Sequence, residues 1–239
     1  MIDDLLKFPS KEEIEKIEPY KSLKHLKLFF YTDSEKTMLG LVEGMLYRQA
    51  EDWQRYINNK IGKLKVSYLL AKTNLLKQKD RLEKLEGKDI RYYELGFWSS
   101  FFVEYFYSLF FSIWDIIFQI LNILLNTNFT RDNTRLKNVV KKKLNKYGYK
   151  KISDKINEIE SNDIFKNSRN NRHCFMHRFS PLEQCTVKII KETEKCREYG
   201  LGGEHIDYEL YEQEIDSLVN FLCKDIKNLA DLIKKEFIY

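Results

Sequence analysis

Proline is nearly absent from this chain, standing only at Pro9, Pro19 and Pro181. From Tyr20 to Ser180 no ring interrupts the backbone hydrogen-bond ladder, while leucine, lysine and glutamate abound, so the chain reads as mostly helical. Cysteine is scarce too. Cys174, Cys185, Cys196 and Cys223 form no CxxC pair and no framework spacing, which argues against a disulfide-stapled secreted domain and for reduced thiols. The ligand types His173, His177, Cys185, Cys196 and His205 match no common zinc module in their spacing, so neither a metal nor a cofactor is expected. A glycine-rich phosphate loop is lacking, because Gly200, Gly202 and Gly203 are not followed by the lysine and hydroxyl residue that a P-loop needs. The first residues, MIDDLLKFPS, lack a basic stretch leading into an apolar one; no secretory leader is read, and the expected compartment is the cytoplasm.

What is present is a chain of 239 residues, 43% of them hydrophobic, enough for one generous core and one elaborated domain. The net charge of +5 is basic, but too mild to establish a nucleic-acid partner by itself. Apolar positions Ala50, Trp53, Ile57, Ile61, Leu64, Tyr68, Ala71, Leu75, Leu82 and Leu85 recur at helical steps. They predict one long amphipathic helix over 37–86, ending at Gly87, with Gly62 as a candidate kink.

Residues 97–125, FWSSFFVEYFYSLFFSIWDIIFQILNILL, are greasy enough to raise the question of a membrane span. On a helical wheel, however, Glu104, Ser108, Ser112, Asp115, Gln119, Asn122 and Asn126 fall within about 80° of one another. Carrying Glu104 and Asp115 into lipid costs several kcal/mol, so the expectation is the central helix of a bundle outside the membrane, its polar stripe turned to water, a partner or a site. Residues 130–155 carry ten Lys/Arg against two Asp, a local excess larger than the net charge of the whole chain. Lys141, Lys142 and Lys143 in that segment are candidates for phosphate contacts. After Pro181, CTVKIIKETEKC alternates like a short strand and GLGGEHIDYEL reads as a turn followed by an extended piece, which accommodates a small β-hairpin. Helical periodicity returns over 211–237.

The richest stretch is SRNNRHCFMHRFSP, residues 168–181, holding two of the four histidines among arginines. On a helix, Arg172, His173, Met176 and His177 project within about 140° of each other. Arginine clamps phosphate in bidentate fashion and histidine moves protons near neutral pH, so the pair suits metal-free cleavage of RNA. Arg169 and Arg178 are candidates for positioning phosphates. Asp115 or Glu104 would orient an imidazole or pair with Arg172 if the two helices pack face to face.

RHCFMH resembles the R-x4-6-H signature of the HEPN superfamily, with His173 at the place where a polar residue commonly follows the arginine. The resemblance implies an all-α, HEPN-like helical bundle over 95–239, preceded by a helical extension over 1–94 and continuous with it. It also implies a metal-independent endoribonuclease acting as a toxin or antiviral-defence effector on cellular or phage RNA. The catalytic residues would be Arg172 and His177, with His173, Asp115 and Glu104 in support. The implied partners are RNA, a second copy of the chain in a homodimer, and an antitoxin or other defence-system protein; no membrane is expected. The alternative is a non-catalytic helical module with the same fold that binds RNA or protein. Phe179 stands where some superfamily members carry a tyrosine that a partner modifies with AMP, which disfavours that control here.

Overall fold

A computed structural model of the chain describes residues 7–30, 41–84, 90–127, 135–177, 187–193, 196–201 and 208–237; the side chains of 41–47, 82–84, 90, 176–177, 208–209 and both strands lie outside the description. The order is α1 (Lys11–Glu15), α2 (Glu18–Lys24), α3 (Leu41–Lys84), α4 (Ile90–Leu124), α5 (Leu136–Lys146), α6 (Lys150–Ser161), α7 (Asp163–His177), β1 (Val187–Thr193), β2 (Cys196–Leu201), α8 (Tyr208–Phe221), a π-helical turn (Leu222–Ile226) and α9 (Lys227–Glu236). This is the all-α bundle expected, with one hairpin.

Long α3 and central α4 pack antiparallel along their length. Ser67 Oγ donates to the Phe102 carbonyl at 2.6 Å, Ser99 Oγ to that of Ala71 at 3.2 Å, and Gln78 Nε2 to that of Tyr92 at 3.3 Å. Helix α3 runs unbroken through Gly62, where a Cβ would meet nothing within 4 Å. Helix α4 is long and apolar enough to cross a membrane by composition, yet 67% of its most apolar window is buried. Its ring-rich flank is the hub of the core. Phe110, Phe111 and Trp114 surround Phe165 of α7, with Phe221 of α8 closing the cluster. One hydrophobic cluster extends from Ile17 to Phe237 and so joins the N-terminal helices to the closing one.

The N-terminal segment is stitched to α3 by side chains. Asn58 accepts from the Leu28 amide at 2.9 Å and donates back to its carbonyl at 2.8 Å, and Gln54 accepts from the Phe30 amide at 2.7 Å. Gly148, at φ +81°, makes the turn between α5 and α6 that a side chain would strain.

In the hairpin, β1 and β2 are antiparallel, Val187 opposite Leu201 and Thr193 opposite Cys196, with an irregularity between Ile189 and Lys191. The second strand therefore precedes Gly202 and Gly203, whereas the sequence suggested an extended piece after them; from Tyr208 the chain is helical. The apolar positions of that C-terminal stretch, Ile215, Leu218, Val219 and Leu222, are buried at helical spacing, and this burial overrides the local alternation.

Candidate functional site on the motif helix

Helix α7 begins at Asp163, with the Ile164 amide capped by Asn162 Oδ1 at 2.9 Å, and its last residue is His177. One face is fixed by apolar and small residues: Phe165 and Ser168 are buried, and Phe175 packs on Tyr107 of α4 at 5.1 Å and on Tyr211 of α8 at 6.2 Å between ring centroids. Phe165 meets Trp114 while Phe175 meets Tyr107, so α7 runs antiparallel to α4.

Arg172 lies between these anchors, on the same inner face. It is half-buried, its guanidinium carbon 5.7 Å from the centroid of the Phe111 ring, and its Nε is buried without a hydrogen-bond partner. No carboxylate among the described residues forms an ion pair with it. The carboxylate beside the motif helix is already engaged. Glu214, from α8, accepts from Ser168 Oγ at 2.9 Å and from Asn171 Nδ2 at 3.0 and 2.8 Å. Burial, together with the Glu214 carboxylate, pushes the Tyr211 phenol up to about 12 and raises the Tyr107 phenol as well. Both rings therefore stay neutral, and neither can serve as a base near pH 7.

His173 is exposed, about 100° around the helix from Arg172. The helix edge expected to present both is thus divided, the cation inward and the imidazole outward. His177 ends α7 one turn beyond His173; its side chain, and all of Arg178, lie outside the described residues. Arg169 is exposed on the same side of α7 as His173.

Neither of the two supporting carboxylates forms an ion pair with Arg172. Asp115 is half-exposed and pairs with Lys137 of α5 at 2.7 Å instead of with Arg172. Glu104 is half-buried on α4, one turn before Tyr107, and is engaged elsewhere than at Arg172. The cause is the flank of α4 that α7 covers, which is the one carrying Tyr107, Phe111 and Trp114; the polar stripe lies beside the contact. Glu214 was missed because its link to α7 joins residues far apart in sequence, and no local spacing reveals it.

Part of the charge of the basic segment is paired within its own bundle, with Lys137 on Asp115 and Lys151 on Glu236 among the pairs. Lys141 is paired with Glu160, Lys155 with Glu158 and Asp225, and Lys143 donates to the Asn126 carbonyl at 3.2 Å. Lys142, Lys146 and Lys150 are exposed, with no side-chain partner among the described residues. Among the described residues no group of three or more His, Cys, Asp or Glu side chains could hold a metal; Cys185 and His205 lie outside them.

A helical bundle whose motif helix carries Arg172 and ends in His177 defines a HEPN-type domain. The chain belongs to the HEPN_Cthe2314-like HEPN family, whose model matches residues 53–235, from within α3 to the end of α9. No curated protein and no solved structure matches it.

Proposed function

We propose that the protein is a metal-independent endoribonuclease of the HEPN type, working as a homodimer in which two motif helices share a cleft. The observation that carries this reading is Arg172, packed against Phe111 and without an anionic partner among the described residues. A guanidinium so placed has its bidentate donors available for phosphate. In the proposed reaction a neutral imidazole, that of His177, takes the 2′-hydroxyl proton and the 2′-oxygen attacks the adjacent phosphorus. The bond to the 5′-oxygen breaks, and a protonated imidazole gives that oxygen its proton, leaving a 2′,3′-cyclic phosphate and a 5′-hydroxyl. Arg172 stabilises the charge that gathers on the phosphoryl oxygens. Base and acid roles need two imidazoles, which is why two chains are invoked. Lys142, Lys146 and Arg169, all exposed, position the strand, and the biological setting is that of a toxin or defence effector.

The test is cleavage of total RNA by purified protein in chelator, with filter binding measured in parallel. Arg172→Ala is expected to lower cleavage by about 100-fold or more, the scale of losing one transition-state donor, with far-UV circular dichroism unchanged. RNA retained by the wild type without cleavage would instead establish a non-catalytic module.

A further inference from the structure

Among the described residues no hydrogen bond holds the Arg172 Nε, which is buried. The guanidinium carbon lies 5.7 Å from the centroid of the Phe111 ring, a contact that attracts a cation without fixing its direction. Where the guanidinium stands is therefore decided by the helix beneath it, through the depth and the rotation of α7. Depth is a matter of rings. Phe165 beds against Phe111 and Trp114, and Phe175 between Tyr107 and Tyr211. Apolar contact of this kind is non-directional and lets a helix turn about its own axis. Hydrogen bonds weaken steeply once they are bent, and so resist such a turn.

Three hydrogen bonds reach from α7 to one group on α8, the Glu214 carboxylate. Ser168 Oγ donates to it at 2.9 Å, and Asn171 Nδ2 donates to its two oxygens at 3.0 and 2.8 Å. Ser168 is fully buried, and Asn171 stands one turn further along the helix, directly before Arg172. The phenol of fully buried Tyr107 adjoins the same carboxylate from α4, so Glu214 sits where three helices meet.

We infer that Glu214 is a positioning residue for the proposed cleavage: by gripping Ser168 and Asn171 it sets the rotation of the motif helix, and with it the place of the Arg172 guanidinium. The inference rests on the proposed ribonuclease reading and adds to it a residue from outside the motif. At roughly 6 Å from a helix axis, a rotation of about 10° moves a side chain by about 1 Å. A misplacement of that size costs about 100-fold in rate even when the substitution is remote from the chemistry. Glu214 acts here as an acceptor, since Ser168 and Asn171 are neutral donors, and it moves no proton.

Steady-state cleavage of one RNA in chelator tests the inference, with RNA affinity followed by filter binding and folding by circular dichroism. Glu214→Ala is expected to lower kcat by about 100-fold while RNA affinity stays near wild type, because Arg172 acts on charge that gathers only in the transition state. Glu214→Gln keeps an oxygen for Ser168 and Asn171 and is expected to recover most of that loss. Asn171→Ala cuts the same link from a partly exposed position and should match Glu214→Ala. The double variant should be no worse than either, as befits two ends of one contact. If Glu214→Ala does not fold, Asn171→Ala decides alone. Folded alanine variants with wild-type kcat overturn the inference and leave Arg172 and His177 standing, the carboxylate then serving stability only. A Glu214→Gln chain as impaired as Glu214→Ala also overturns it, because charge rather than an acceptor would be at work. A wild type that cleaves no RNA overturns both the inference and the reading on which it rests.

Discussion

Arg172 follows Asn171, which binds Glu214, yet that carboxylate is held by neutral donors and the guanidinium has no anion among the described residues. Removing the acceptor strands two donors, one of them on fully buried Ser168. Glu214→Ala is therefore expected to lower stability by about 1–3 kcal/mol, measured by urea denaturation, with Glu214→Gln closer to wild type. Asp115→Asn should do little, because a half-exposed pair with Lys137 is worth at most about 1 kcal/mol, and cleavage should be unchanged; a large loss of activity would return Asp115 to the site. That Arg172 and His177 stand on one helix was legible in the sequence because a helix turns covalent spacing into position. What covers that helix was not. A wheel shows which residues share a face of α4, but only packing decides that α7 takes the flank of Tyr107 and Phe111, and only the tertiary fold brings Glu214 from α8 to Asn171.

At the scale of elements, the two long helices were readable because their apolar spacing persists over many turns. The second strand of the hairpin was misplaced: it is Cys196–Leu201, and of the stretch read as extended, residues from Tyr208 on are drawn into α8 by its buried stripe, while 202–207 lie outside the described residues. No periodicity announced the polar joint between α3 and α8. Lys72, its side chain 7% exposed, reaches Glu212 at 2.6 Å and Asp216 at 2.9 Å, Lys79 adds a second contact to Glu212, and Tyr68 donates to Asp216. Burial alone would raise the pKa of Glu212, but the hydrogen bonds and charges of Lys72 and Lys79 hold it below the ordinary carboxylate value. A carboxyl depressed in the folded state stabilises fully above its unfolded value and loses that contribution as pH falls through the folded one. Stability to urea should accordingly decline with acidification from about pH 4.3, the unfolded reference. Lys72→Met should cost up to about 3 kcal/mol at neutral pH, the low end for a broken buried pair, because Lys79 still meets Glu212 and Tyr68 still donates to Asp216, and should shrink the acid-dependent loss. A variant with the wild-type acid slope would show that the joint does not set it.

For the whole molecule, one core ties the N-terminal helices, the α3–α4 pair and the closing helix together, and the motif helix is clamped between α4 and α8. Such a frame positions Arg172 with no anionic partner among the described residues, and at the end of the same helix stands a histidine. The central claim is that this histidine moves a proton during RNA cleavage, one copy as base and its mate as acid. Its most direct test is the pH dependence of the cleavage rate on a single RNA in the presence of chelator. Imidazoles titrate near about 6.5, and one must be neutral while the other is charged, so the rate should be bell-shaped with its maximum near neutrality. A rate that is flat from about pH 5.5 to 8.5, spanning the imidazole range, or one that climbs with pH and vanishes in chelator as metal hydroxide chemistry does, would contradict the account.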